Sequence, residues 1–335
     1  MDKLVSVLMS VHNEPFKFID VAVKSICNQT YSNIEFVILD DNSNEETFEY
    51  LKKLSETYKI IRLYRNEENL GLTKTLNKGL RLCSGDFIAR MDADDYSCPQ
   101  RIAKQVDYLE VHPDIDILGT GVVSFGEKVI FMSPIDGYST QDVQTNLFFT
   151  SSLCHPSVMI RKSFLDRTGL TYDENVKKGQ DFDLWERASI HGKLAVLRDV
   201  LLYYRLHSKQ ITSTNRADQD TSARKIMLRR INRMGINPSE EEMTAHMALK
   251  LQTPNSDLDT VSQWINKLIV ASKDAPYINS NNLSNNLYSR LANIKLRSHC
   301  IYNVKDLRYL LKTLYYRLKM RLLLKYHSKK ISQNI

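Results

Sequence analysis

The sequence predicts an α/β fold on a mainly parallel sheet, followed by a helical C-terminal region. Three observations predict it. Short apolar runs alternate with helical patterns through the first half of the chain, the signature of β-α-β units. Polar residues follow directly on each run. Beyond Ser213 the pattern becomes helical, with polar breaks at Thr253-Pro254-Asn255 and from Asn279 to Asn286.

Val5 to Val11 reads as the first strand, and it meets His12, Asn13 and Glu14 too early for a signal peptide or a membrane span. Phe18 to Cys27 places Phe18, Val21, Ala22, Ser25 and Ile26 at helical spacing. A second strand spans Ile34 to Leu39, and Ser43-Asn44-Glu45-Glu46 reads as a capping box opening a helix from Thr47 to Glu56. Ile60 to Tyr64 is the third strand. A helix from about Thr73 to Cys83, ended by Gly85, leads to the fourth strand, Phe87 to Met91. After Pro99 a helix runs to about His112, and Ile115 to Leu118 reads as a strand. Residues 120 to 150 show no assignable period. Ser157 to Ile160, a helix from Asp181 to Ile190, and strands at Leu194 to Val196 and Leu201 to Leu206 complete this part. The chain is expected to divide into a catalytic domain at 1–215, a helical region at 216–300 and a basic tail at 301–335.

Each crossover returns the chain to a parallel strand, so the first four strands share one carboxyl-terminal rim. His12-Asn13-Glu14, Asp40-Asp41-Asn42, Arg65-Asn66 and Asp92 to Asp95 all fall there. Ligands of open α/β sheets bind outside those strand ends. Two carboxylates at i and i+2 on such a turn can offer oxygens to one hard divalent cation together with phosphate oxygens. Asp92 and Asp94 fit that description, with Mn²⁺ or Mg²⁺ as the expected ion. An Asp-x-Asp alone is weak evidence; its place at a strand end strengthens it.

The composition is that of an ordinary globular protein, with 42% hydrophobic and 25% charged residues. Five scattered cysteines, Cys27, Cys83, Cys98, Cys154 and Cys300, include no pair at metal-ligand spacing, so neither a disulfide nor zinc is expected, and the compartment is expected to be the cytoplasm. The net charge of +7 is concentrated in residues 301–335, where nine Lys and Arg face Asp306 alone. The remaining 37 basic and 38 acidic residues balance, so the body is no general polyanion binder and nucleic acid is not an expected partner. In the tail, Val304, Leu307, Leu311, Leu314, Leu318 and Leu322 recur at steps of three or four with basic flanks. That is the pattern of a helix lying in a membrane interface, or of an amphipathic helix packed on the body.

Eight stretches in order resemble family 2 glycosyltransferases of GT-A fold, the Rossmann-like nucleotide-diphospho-sugar transferases. They are Val5 to Asn13, Gln29-Thr30-Tyr31, Leu39 to Ser43, Asn69 to Leu72, Met91 to Asp95, His155-Pro156-Ser157, Gln180 to Trp185 and Tyr204 to His207. The likeness is to bacterial enzymes building O-antigen, capsule and exopolysaccharide of amylovoran type. It implies a nucleotide-sugar donor, most simply a UDP-hexose or UDP-N-acetylhexosamine. It also implies a polyprenyl-diphosphate-linked saccharide acceptor at the inner face of the cell membrane, where the tail would dock peripherally. It implies a donor-binding set of His12, Asn13, Asp41, Lys74 and Asp92, in which Asp41 meets uracil, His12 stands where an aromatic commonly stacks on the base, and Lys74 and Arg65 approach the phosphates. Metal ligands would be Asp92, Asp94 and His207, with Asp95 supporting the loop.

Asp181 matches the family's acid before Asp-Leu-Trp and is implied to be the general base, with Asp183 as second candidate and Gln180 where many relatives carry glutamate. A base opposite the leaving group implies single displacement with inversion. Simpler roles exist for the same residues: Asp40 and Asp41 as caps, Asp181 and Asp183 as favourable charges at a helix start, Lys74, Arg65 and His207 as ordinary surface groups, and Trp185 as core. The competing functions are a catalytically inert nucleotide-sugar-binding or scaffold protein and a nucleotidyltransferase. The latter should show a glycine-rich loop after the first strand, and residues 11–18 contain no glycine.

Overall fold

The structure is a computed structural model describing residues 2–130, 137–207, 216–298 and 304–334, with side chains described outside 216–219, 304–314, 316–317 and 334. Four strands, β1 (Val5–Val11), β2 (Ile34–Asp40), β3 (Ile61–Arg65) and β4 (Phe87–Met91), alternate with α1 (Phe16–Cys27), α2 (Glu45–Thr57) and α3 (Leu72–Leu82). All four run parallel in the order β3-β2-β1-β4. The side chains of β1, β2 and β4 are buried on both faces, as a sheet covered by helices on either side requires, while β3 at the edge is buried only at Ile61.

The sheet continues past β4 with mixed direction. β5 (Tyr96–Ser97) follows at once, then α4 (Arg101–Val111), β6 (Ile117–Gly126), α5 (Thr140–Asn146), β7 (Met159–Arg161), α6 (Lys162–Thr168), α7 (Gln180–His191) and β8 (Leu194–Leu206). β7 lies antiparallel between β4 and β6, β6 and β8 are parallel, and β5 closes the far edge antiparallel to β8. Two stretches expected as separate strands, Leu194–Val196 and Leu201–Leu206, are one strand. The charged pair Arg198-Asp199 breaks its apolar pattern, and the register against β6 shifts at Gly119 and Gly121. A Cβ at Gly121 would lie 2.6 Å from the Asp199 carbonyl oxygen, so only glycine lets the two backbones pass this closely. The unassigned stretch from 120 holds the end of β6 and α5, whose start is fixed by a Ser139–Asp142 capping box.

The cap of α2 also differs from expectation. Asn44, not Ser43, is the N-cap, accepting from the Thr47 N–H at 2.8 Å. Ser43 Oγ instead accepts from the Asn13 N–H at 3.0 Å, tying the turn after β1 to the turn after β2.

Beyond β8 come α8 (Arg216–Asn232), α9 (Glu240–Leu251), α10 (Leu258–Ser272), α11 (Ser280–Arg297) and α12 (Val304–Asn334). The expected junction near 215 falls outside the described residues, as do the side chains of Val304, Leu307, Leu311 and Leu314. Trp264, Ile265 and Leu268 of α10 share a core with Phe148 and Phe149, which follow α5. Ion pairs tie α7 to α8 and the turn after it: the buried Glu186 of α7 faces Arg229 at 2.6 Å, Arg233, and Arg230 at 3.9 Å. No helix among the described residues is long and apolar enough to cross a membrane.

Candidate active site

The turn leaving β4 gathers the acidic cluster. Asp92, Asp94 and Asp95 each offer a carboxylate oxygen, all within 4.8 Å of one another. Three side chains hold them. Arg90, buried in β4, sets Nη1 2.5 Å from Asp92 Oδ1, an ion pair made off the hydrogen-bond axis. Arg205 near the end of β8 donates its backbone N–H to Asp95 Oδ1 at 2.9 Å and its Nε–H to the Asp94 carbonyl at 2.7 Å. Its guanidinium lies between the rings of Phe18 and Phe125, 4.2 and 4.3 Å from their centroids. His207, just past β8, places Nε2 3.1 Å from Asp94 Oδ2.

Like charges this close oppose one another's ionisation. Burial, then the Asp92 charge, pushes the Asp94 carboxyl up, with His207 opposing. Asp95 lies well above the usual carboxylate range through complete burial, then Asp94 and Asp92. Glu14, on the turn after β1, is raised by burial and by the same Asp94. Burial and mutual repulsion thus both oppose ionisation of these carboxyls, and a hard divalent ion among their oxygens would relieve that repulsion.

Asp181 stands in the first turn of α7. Removal from water raises its carboxyl, two backbone N–H groups lower it, Asp92 raises it, and the Ser151 hydroxyl lowers it. The influence of Asp92 ties Asp181 to the acidic turn. Cys154 lies in the same field: burial, then Asp95, Asp92 and Asp181, push its thiol up. Beneath them the buried His155 Nε2 is 2.7 Å from the Tyr172 hydroxyl, and burial beside Arg90 keeps that imidazole neutral. Asp183, the second candidate base, has both oxygens in ion pairs, with Arg187 at 2.7 Å and Arg229 at 2.8 Å. Trp185 is core, as expected.

The turns after β1 and β2 form the opposite flank. Asp41 Oδ1 accepts from Asn66 Nδ2 at 2.8 Å and the Leu70 N–H at 2.9 Å, and Oδ2 accepts from the Gly71 N–H at 2.9 Å. Gly71, at φ +79°, supplies the left-handed turn this requires. The His12 Nδ1–H donates to the Asp41 carbonyl at 2.9 Å, and Nε2 accepts from Asn69 Nδ2 at 3.0 Å. Asn13, at φ 54°, accepts from the Asn44 N–H through Oδ1. Lys74 is exposed in the first turn of α3. Arg65 is committed elsewhere, to Asp40 at 3.2 Å and Glu45 at 2.9 Å, with its guanidinium over Phe48.

The geometry thus brings Asp92, Asp94 and His207 together, with Asp181 within their field, and joins His12, Asn13 and Asp41 on the opposite flank. Arg90, Arg205 and Glu14 escaped the sequence reading. Arg90 carries a legible signal, a lone cation inside the buried run Phe87-Ile88-Ala89-Arg90-Met91, since a buried charge requires a partner. Arg205 has a weaker signal, a cation in the half-buried end of β8, and Glu14 has only its adjacency to His12 and Asn13.

Comparison with known proteins agrees with this geometry. The sequence profile of Glycosyl transferase family 2 matches residues 6–169. An uncharacterized glycosyltransferase of Methanocaldococcus jannaschii is 34% identical over 214 residues, covering 62% of this chain and 73% of that one. An O-antigen biosynthesis glycosyltransferase of Escherichia coli is 31% identical over 211 residues, covering 62% and 81%. An amylovoran biosynthesis glycosyltransferase of Erwinia amylovora is 30% identical over 213 residues, covering 62% and 78%. Among solved structures, S. aureus TarS 1–349 in complex with UDP-GlcNAc superposes with a TM-score of 0.60 at 18% identity, covering 90% of this chain and 93% of that one. The mannosyltransferase PcManGT from Pyrobaculum calidifontis, in complex with GDP-Man and Mn²⁺, gives 0.51 at 15% identity, covering 98% and 87%. At these identities the structural likeness shows a shared GT-A fold.

Proposed function

Because the chain belongs to glycosyltransferase family 2, we propose that it is a metal-dependent, inverting enzyme of bacterial surface-polysaccharide synthesis. The donor is a nucleotide sugar, a UDP-hexose or UDP-N-acetylhexosamine. The acceptor is a hydroxyl of a polyprenyl-diphosphate-linked saccharide at the inner face of the cell membrane. The observation that carries this reading is the acidic turn, with three carboxylates inside 4.8 Å and His207 on Asp94. The O-antigen and amylovoran biosynthesis relatives support the process. The TarS complex with UDP-GlcNAc supports the donor class.

In this reading Asp94, Asp92 and His207 hold Mn²⁺ or Mg²⁺, and Arg205 and Asp95 keep the turn in place. When bound, the cation neutralises charge developing on the leaving diphosphate. The donor base lies toward Asp41 and His12. Asp41 Oδ2 carries one hydrogen bond and has a lone pair left for a base N–H. Asn13 shapes the same pocket, and Lys74 meets the phosphates. Asp181 accepts the proton of the acceptor hydroxyl as that oxygen bonds to the anomeric carbon and the bond to the diphosphate breaks. Attack from the side opposite the leaving group inverts that centre. The domain division at 1–215, 216–300 and 301–335 is part of the same proposal, with catalysis assigned to the first part.

The test is a panel of UDP-sugars with Mn²⁺ or Mg²⁺ and a synthetic lipid-diphosphate sugar, read by UDP release and product mass. One donor is expected to release UDP and add one sugar of inverted configuration. Release with no donor would favour an inert nucleotide-sugar binder.

A further inference from the structure

Among the described side chains of α12, one face packs on the body and another is exposed. Leu324 and Ile331 pack on the cluster of Cys98, Leu201 and Tyr203. Between them His327 is 8% exposed, with Nδ1 3.2 Å from the Tyr203 hydroxyl. Leu318, Leu322 and Tyr326 remain 61%, 66% and 59% exposed. At about 100° per residue, steps of four place these three in one stripe on the side of the helix away from Leu324 and Ile331. Arg321, Lys325 and Lys329 are exposed beside that stripe, and no acidic residue follows Asp306.

We propose that this outer stripe is a docking surface for an anionic lipid bilayer, with α12 lying in the headgroup plane while its inner face stays on the protein. Leucines and a tyrosine on one side, rimmed by cations, are the chemistry that enters a negatively charged interface. A second copy of the chain is a poorer occupant, since a two-fold contact through this stripe would set the same basic flanks against each other. The docked helix also stands close to the site: Tyr203 beneath His327 pairs across the β5–β8 ladder with Tyr96, the residue after Asp95. This inference rests on, and deepens, the reading of a membrane-borne acceptor. It assigns the contact to a particular face of a helix held on the body rather than to a free tail.

The experiment is sedimentation of the full chain with phosphatidylcholine vesicles, with and without phosphatidylglycerol, at low and high salt and with no substrate present. Wild type is expected to bind the anionic vesicles and to release them at high salt. The triple variant L318S/L322S/Y326S is expected to bind at least about tenfold more weakly with unchanged thermal melting. K325Q/K329Q should weaken binding to anionic vesicles alone. Equal binding by wild type and the triple variant, or no preference for anionic lipid, would overturn the proposal. So would a solution dimer that the triple variant dissociates. A protein that binds vesicles but transfers no sugar removes the acceptor reading and leaves the surface standing. One that transfers to a soluble acceptor but ignores vesicles removes the surface alone.

Discussion

Asp181 and Asp183 look interchangeable in the sequence, two acids in one helical turn. Their surroundings separate them. Asp183 is fully buried between Arg187 and Arg229, so it ties α7 to α8, while the Asp181 carboxyl feels the charge of Asp92. Replacing Asp181 with Asn should lower kcat by about 10²- to 10⁴-fold, the usual worth of a general base, with little change in donor KM. Near-normal turnover in steady-state assays would remove Asp181 from the role. A base must be ionised, and burial raises this carboxyl, so activity should rise with pH through a limb above the usual carboxylate range. Ser151 lowers the Asp181 carboxyl, so Ser151→Ala should move that limb to higher pH. The acidic residues were legible because they sit in short motifs at strand ends. Arg90 and Arg205 were passed over because each sits inside a strand rather than in the polar turn that follows one.

The first four strands and three helices were legible almost to the residue, because each strand is a short, mainly apolar run ended by a polar turn. The later part of the sheet was not. In β8 the exposed Arg198-Asp199 imitates a loop, and only the register shift opposite Gly121 reveals continuity. Among the helices, α9 depends on a buried histidine. The His246 Nε2–H donates to the Phe148 carbonyl at 2.7 Å, and Nδ1 accepts from the Trp264 indole N–H at 3.2 Å. That pair of bonds needs the neutral ring, and burial lowers its pKa from 6.5 to about 4. The folded value lies below the unfolded one, so stability from this group is complete above about 6.5 and is lost as pH falls toward about 4. The linkage is on the order of 3 kcal/mol across that window. Urea melts of wild type and His246→Gln at several pH values check it. The variant should show a shallower loss between pH 6.5 and 4, and an identical slope would contradict the assignment.

Across the whole molecule, charge is partitioned by task. Residues 1–300 are balanced, an acidic cluster stands at the turn after β4, and the basic excess is concentrated on α12. The sequence showed the last two directly from counts and spacing. It did not show that α12 rests on the edge of the sheet, because Leu324, His327 and Ile331 match β6 and β8 only in three dimensions. Nor did it show how Glu186 and Arg230 fasten the helical region to the body, since these pairings join residues dozens of positions apart.

The central claim is that the turn at Asp92 to Asp95 binds a divalent cation and nucleotide together. Calorimetric titration of UDP into wild type and Asp94→Asn, each with Mn²⁺ and with EDTA, tests it most directly. The expected result is UDP binding by wild type with Mn²⁺, lost on chelation and weakened at least about tenfold in Asp94→Asn, with the variant's melting temperature retained. Equal UDP affinity in all four titrations would contradict it.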